Sequence, residues 1–147
     1  MLIDTLNNDT VILSFHDLDG DGGAPPIITS GVLSANTSYI GLLQLFNETV
    51  SPIIDIGAEI GEEAVDHQFF YLLESNPDAT VSYTDFDSNG DPLGLQTIFS
   101  SASASTGQLT IVLRHEPDKT APGVSEGDIE NAGGETDIQV SFQISIQ

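Results

Sequence analysis

The chain has 147 residues, of which 39% are hydrophobic, and it contains no cysteine. Its formal net charge is −21, because 23 acidic residues face only two basic ones, Arg114 and Lys119. This composition excludes disulfides, thiolate metal ligands and thiol chemistry, and it leaves too few cations to bind DNA, RNA or an anionic lipid surface. The length suits one domain, residues 1–147, whose self-repelling charge favours bound cations.

The predicted elements are short β-strands separated by turn residues. Residues 11–16 begin the series, with Val11, Leu13 and Phe15 alternating with the residues between them. Residues 137–146 end it with the clearest alternation of apolar and polar side chains. The segments between these two are rich in β-branched, aromatic or leucine residues and comprise residues 38–47, 67–73, 80–84, 95–99 and 109–114.

Seven to nine short strands with little helix predict an all-β fold, a single antiparallel β-sandwich of the Ig-like kind. Residues 55–67 are the exception, because their acidic side chains recur at the spacing of one helical face. Gly57 and Gly61 weaken a helix there. We therefore expect a loop, or at most a short turn of helix, in this segment.

The first acidic turn has the opening pattern of an oxygen-ligand calcium loop. Asp17, Asp19 and Asp21 stand at its first, third and fifth places, and Gly22 stands at the sixth. The twelfth place holds Ile28 where an EF-hand has a bidentate glutamate. The turn is thus either a calcium site completed by a carboxylate from elsewhere or simply a turn rich in turn-forming residues.

The second acidic turn also has oxygen-bearing side chains at alternate positions. Asp85, Asp87, Asn89 and Asp91 alternate along it, and Asn89 is followed by Gly90. Oxygen ligands at alternate positions again predict calcium. Asn-Gly is also a strong hairpin signal in its own right, so a plain turn is the competing interpretation.

Histidine forms the third candidate site. His67 follows Glu63 and Asp66, and His115 precedes Glu116. Two imidazoles with one or two carboxylates would hold zinc or another transition metal if the strand ends converge. The alternative is that each histidine is a strand-end residue satisfied by nearby carboxylates.

Catalytic patterns are missing from the sequence. It contains no Gly-x-Ser-x-Gly elbow, no cysteine nucleophile and no glycine loop that cradles phosphate before a helix. We therefore predict a protein that is not an enzyme. Residues 138–146 offer another role, because a long edge strand invites pairing with a second copy or with another envelope protein.

Six short blocks are shared, in the same order, with a known protein family. They are Phe15-His16-Asp17-Leu18-Asp19-Gly20-Asp21-Gly22, Asn36-Thr37-Ser38-Tyr39, Leu45-Phe46-Asn47-Glu48, Asp66-His67-Gln68-Phe69-Phe70-Tyr71, Leu113-Arg114-His115-Glu116-Pro117 and Gly133-Gly134-Glu135-Thr136-Asp137-Ile138. From Val11 onward the chain thus resembles a family of small secreted bacterial lipoproteins, often labelled "type 1 periplasmic binding fold superfamily protein". The α/β fold in that label conflicts with the short-strand pattern, so the strand pattern decides the fold prediction.

The resemblance implies an exported domain of the Gram-negative envelope, in the periplasm or at the outer-membrane or cell surface. It implies a lipid tether through an upstream cysteine, with residues 1–8 as a flexible lead after that anchor and no other insertion into the membrane. The family pattern tends to have Arg where His16 stands, which counts against His16 as a ligand. Metal handling beside an outer-membrane transporter is a further implication.

These observations lead to one expected function and two alternatives. The first is an envelope module that binds divalent cations, with calcium in the acidic turns. The second is transition-metal handling at His67 and His115, with Glu116, Glu63 or Asp66 as helpers. The third is a structural or adhesive subunit that assembles through edge strands.

Overall fold

A computed structural model describes residues 1–18 and 23–147. Within these ranges the chain is mostly β, with 46% strand and one short α-helix, which confirms the predicted class. The strands are β1 Leu2–Asp4, β2 Thr10–Val11, β3 Ser14–His16, β4 Ile27–Thr29, β5 Val32–Leu33, β6 Ser38–Leu42, β7 Phe46–Asn47, β8 Ile54–Asp55, β9 His67–Glu74, β10 Ala79–Tyr83, β11 Gln96–Ser101, β12 Ser105–His115 and β13 Glu135–Ile146. Helix α1 spans Ile56–Glu62, and 3₁₀ turns lie at Ala64–Asp66 and Val124–Glu126.

The described strands form four sheets rather than the two sheets of a single Ig-like sandwich. A five-stranded sheet has the order β10-β11-β6-β1-β2, a four-stranded sheet has the order β5-β13-β12-β9, and β3-β4 and β7-β8 are separate pairs. The expectation of seven to nine strands is wrong because predicted strands split between partners. In residues 11–16, for example, Val11 pairs with Leu2 whereas Phe15 pairs with Ile28. The purely antiparallel arrangement is also wrong, since β5 runs parallel to β13.

The two larger sheets pack face to face. Leu2, Tyr39 and Phe99 of the five-stranded sheet share one buried cluster with Leu109 and Ile144 of the four-stranded sheet. The alternation predicted for residues 138–146 is confirmed, because the apolar side chains of β13 are buried or half-buried while Gln139 and Gln143 are exposed. Burial of large apolar side chains supplies most of the stabilisation of such a core.

The other face of β9 and β12 is also covered. Phe70 of β9 and Val112 of β12 pack against Val124 and Ala132, which belong to the long connection between β12 and β13. The side-chain amide of Gln68 donates a 2.9 Å hydrogen bond to the Val124 carbonyl oxygen. The start of β9 and the end of β12 are therefore covered by packed side chains on both faces of the sheet.

Helix α1 is longer than the loop or single turn that the two glycines predicted. The Asp55 side chain caps it by accepting a 3.0 Å hydrogen bond from the Ala58 amide, and Ile60 is buried in a cluster with Phe69. Gly57 is buried against the Leu45 backbone, so the residue that weakens the helix also allows it to pack closely. Packing and a cap thus outweigh the low helix propensity.

Residues 2–4, which the resemblance placed in the lead at residues 1–8, belong to the five-stranded sheet. They form β1, which lies between β2 and β6, with Leu2 and Asp4 buried. The Asp4 carboxylate accepts hydrogen bonds from the Leu6 and Asn7 amides and so closes the turn that follows. No helix among the described residues is long and apolar enough to cross a membrane.

Candidate metal centre

The two histidines of the third candidate site meet across neighbouring strands. His67 opens β9 and His115 closes β12, and the antiparallel register places them directly opposite each other. Their rings stack with centroids 4.8 Å apart and planes inclined by 7°. The convergence that the metal hypothesis required is therefore present in the fold.

A β-bulge adds Asp137 to this pair. Leu113 pairs with Ile138, but the next residue of β12, Arg114, pairs with Thr136, so Asp137 is the extra residue of β13. At such a bulge the strand alternation is interrupted, and a side chain can be turned to the other face of the sheet. The bulge thus brings the Asp137 carboxylate to the histidines, with an oxygen 3.8 Å from His67 Nε2.

The His67 ring is held in one orientation. Its Nδ1 lies 3.0 Å from the Glu63 carbonyl oxygen at the end of α1, and its side chain is 8% exposed. A carbonyl oxygen only accepts, so in the neutral ring Nδ1 carries the proton and Nε2 keeps its lone pair. Nε2 is the atom that faces Asp137. The hydrogen bond at Nδ1 is the kind of outer-shell contact that orients metal-binding histidines.

Together, His67, His115 and Asp137 present two imidazole nitrogens and one carboxylate oxygen within 4.8 Å of one another. This donor set suits zinc and related transition metals, and three protein ligands leave a coordination position open for water or a ligand. Ligands of a tetrahedral zinc lie about 3.3 Å apart, so the donors must draw closer to bind. His115 is half-buried and Asp137 is exposed, which gives both side chains room to rotate towards His67.

The expected helper carboxylates are placed elsewhere. Glu63 contributes its backbone carbonyl to His67, and the Asp66 carbonyl oxygen accepts a 2.7 Å hydrogen bond from the Glu116 amide. The carboxylates of these three residues lie outside the group formed around the histidines among the described residues. Asp137 takes the place predicted for them, and the prediction missed it because plain alternation puts it on the opposite face of β13.

The described residues include only part of the first acidic turn. Asp19 and Asp21 lie outside the described residues. Asp17 is half-buried and lines a surface pocket with Phe46 and Glu48. His16, which the family pattern does not favour as a ligand, is exposed, and its Nδ1 lies 3.2 Å from a Glu48 carboxylate oxygen. Calcium at this turn stays a prediction.

In the second acidic turn, two aspartates bind the backbone of their own loop. Asp85 accepts 2.9 Å hydrogen bonds from the Gly94 and Leu95 amides, one at each carboxylate oxygen. Asp87 accepts from the amides of Asn89 and Asp91. Asn89 is exposed and Asp91 is half-buried. The turn thus folds through its own hydrogen bonds, and calcium here stays a prediction that these contacts do not require.

One of the two basic residues forms a buried ion pair with this turn. Lys119 Nζ lies 2.9 Å from an Asp87 carboxylate oxygen, and both side chains are almost wholly buried. The same ammonium group donates to the carbonyl oxygens of Ala64 and Pro92, at 2.7 and 2.9 Å. Lys119 therefore joins the second acidic turn to the 3₁₀ turn that leads into His67.

We predict that the Lys119–Asp87 pair makes the free energy of unfolding decrease at acid pH. Burial raises the pKa of Asp87, but hydrogen bonds from Lys119 and from the Asp91 and Asn89 amides outweigh it and hold the pKa below its ordinary value. In the unfolded chain the pKa returns to about 3.9. The stabilisation is therefore complete above about pH 4 and is lost as the pH falls through the lower, folded value.

Urea unfolding midpoints measured from neutral pH down to acid pH check this expectation. The Asp87→Asn variant should lose less stability over the acid range than the wild type does, although it starts from a lower value. Parallel curves for the two proteins would show that Asp87 does not carry the acid sensitivity.

Comparison with protein-family models, with curated proteins and with solved structures gives no match for this chain.

Proposed function

We propose that this protein binds one transition-metal ion of the zinc type at His67, His115 and Asp137. The observation that supports it best is the bulge at Asp137, which brings a carboxylate to two facing imidazoles on neighbouring strands. The formal charge of −21 adds to this, because it attracts cations to the whole surface. The open coordination position suits a module that holds or passes on a metal.

The cellular setting is a proposal of its own. The resemblance to secreted lipoproteins supports an accessory module of the bacterial envelope, and metal transfer to an outer-membrane transporter would suit its open site. Calcium in the first acidic turn, at Asp17, Asp19 and Asp21, would be a second and separate cation site. The two sites differ in donor chemistry, since imidazole favours zinc whereas carboxylates alone favour calcium.

Thermal unfolding with zinc, calcium, EDTA or sodium chloride at matched ionic strength tests the metal proposal. Zinc at a hundredfold its dissociation constant should add about 2.7 kcal/mol to the free energy of unfolding. The His115→Gln and Asp137→Ala variants should lose this gain, because each removes a ligand from a partly open site. Calorimetric titration of the wild type should give one zinc ion per chain.

The matched control is Glu135→Ala, which removes an exposed carboxylate two residues from Asp137. It should keep the full zinc response. If zinc stabilises the wild type, the Asp137→Ala variant and the Glu135→Ala variant equally, binding is nonspecific and the proposed site is wrong. Stabilisation by calcium that survives Asp137→Ala would instead support the separate calcium site.

A further inference from the structure

We propose that the open edge of β13 binds an extended, cationic segment of another protein as an added β-strand. This site does not use the metal centre and goes beyond the function proposed above. β13 is 12 residues long and pairs with β12 along its length, but on its other side β5 pairs only with Ser145 and Ile146. Among the described residues, the stretch from Glu135 to Ile144 has no strand partner on that side.

The unpaired edge offers directional hydrogen bonds. In an antiparallel pair, alternate residues direct their N–H and C=O groups away from the partner strand. Roughly ten unpaired residues correspond to about 33 Å of edge at the usual rise per residue. Exposed edges of this length are the surfaces that extended peptides join by strand addition.

An apolar groove of about 320 Å³ lies over one face of β9, β12 and β13, of which β13 is the outer strand. Ile138, Val140 and Phe142 of β13 form one wall, and Phe15 and Phe46 contribute to the other. Phe15 is 40% exposed and Phe46 is 48% exposed, so the groove is open to solvent. A strand added to β13 would place every second side chain on the groove side, which favours a segment with apolar residues at alternate positions.

The charges around the groove define the partner further. Glu48 lies in a polar pocket that shares Phe15 and Phe46 with the groove, and Glu135 stands at the start of β13. The whole chain carries −21. A second copy brings the same negative charge to the contact, whereas a segment with Lys or Arg at its ends is attracted to it. We therefore assign the groove to a cationic strand of a different protein.

Fluorescence anisotropy with a labelled peptide, Lys-Lys-Val-Thr-Val-Thr-Val-Lys-Lys, tests the assignment. A second peptide, N-methylated at its five central residues, keeps the side chains but removes their N–H donors. A third replaces the lysines by glutamates. The wild-type protein should bind the first peptide, with affinity falling as salt rises, and should bind each of the other two at least about tenfold more weakly.

Two protein variants locate the binding surface. Phe46→Ser and Phe15→Ser each remove an exposed groove wall and should weaken peptide binding about tenfold or more, with unfolding midpoints measured to confirm that both variants fold. The control is Leu6→Ser, which removes an apolar side chain that is 83% exposed outside the groove and should leave affinity unchanged. Amide hydrogen exchange should slow in β13 when the peptide is bound.

Other outcomes overturn the proposal. Equal binding of the N-methylated peptide would show that no strand is added, and failure of the wild type to bind the first peptide at low salt would show that the groove does not take a cationic strand. Concentration-dependent dimerisation in sedimentation experiments, abolished by Phe46→Ser, would assign the groove to a second copy of this chain instead.

Discussion

Replacing Lys119 by methionine is expected to lower the free energy of unfolding by about 3–5 kcal/mol, the usual cost of removing one partner from a buried ion pair. The Asp87 side chain is 0% exposed, so its charge would keep only the hydrogen bonds from the Asn89 and Asp91 amides. The carbonyl oxygens of Ala64 and Pro92 would each lose the Lys119 donor, although Ala64 keeps the hydrogen bond from the His67 amide. Methionine resembles the aliphatic stem of lysine in length and apolar character. The substitution therefore removes mainly the charge and its hydrogen bonds.

Urea denaturation of the wild type, Lys119→Met, Asp87→Asn and the double variant measures this coupling directly. The double variant should be more stable than the sum of the single changes predicts, because the two side chains act as one unit. Asp91→Asn is the control, since only the backbone of Asp91 contacts Asp87 in the described structure. Additive losses would show that Lys119 is held by its carbonyl contacts and not by Asp87.

The same contacts connect stability with the metal centre. Lys119 binds the Ala64 carbonyl oxygen, and the 3₁₀ turn that begins at Ala64 runs directly into His67. The Glu116 amide, next to His115, binds the Asp66 carbonyl oxygen in that turn. Breaking the buried pair is therefore expected to loosen both histidines and to weaken zinc binding without removing a ligand.

Much of the strand pattern could be read from the sequence. Alternation in residues 138–146 and the aromatic and leucine content of residues 67–73 predicted the right elements, because a strand with one buried face alternates and a strand buried on both faces is apolar throughout. Sheet partners could not be obtained in this way. Residues 38–47 read as one strand, yet β6 pairs with β1 and β11 whereas β7 pairs with β8, and only tertiary contacts decide that division.

The metal centre shows the same limit. His67 and His115 were recognisable as a pair because each stands at a strand end beside acidic residues. Asp137 was not, since alternation alone assigns it to the face that carries Gln139, and a bulge cannot be seen in a single sequence. The nearby Glu63, Asp66 and Glu116 were favoured on proximity along the chain, but their carboxylates lie outside the group around the histidines.

The charge of the chain also has an explanation within the fold. Many aspartates sit in turns and accept hydrogen bonds from backbone amides, as turn chemistry predicts. Those with such contacts are Asp4, Asp55, Asp78, Asp85, Asp87, Asp118 and Asp128. Part of the acidic surplus thus stabilises turns, and fewer carboxylates remain to bind cations than the composition alone suggested.

Gly134→Ala is expected to cost about 2–5 kcal/mol of unfolding free energy. Gly134 has φ +66°, a left-handed conformation that costs other residues about 1–2 kcal/mol. A Cβ there would also collide with the His115 carbonyl oxygen and come within 2.9 Å of the Glu116 carbonyl oxygen. Overpacking of this kind adds about 1–3 kcal/mol. Because Gly134 immediately precedes β13, any relief of the collision must move the strand end that carries Asp137, so zinc affinity should fall as well.

Gly133→Ala is the matched control for this prediction. Gly133 also has a left-handed φ, +60°, but an added Cβ meets nothing within 4 Å. The Gly133→Ala substitution should therefore cost only about 1–2 kcal/mol, for the left-handed backbone conformation, and leave zinc binding intact. Urea unfolding and zinc titration of both variants separate the cost of the left-handed conformation from the cost of the collision at Gly134. Equal losses at the two glycines would mean that the close approach of Gly134 to His115 does not constrain the strand, and that the geometry of the metal centre is set by the bulge alone.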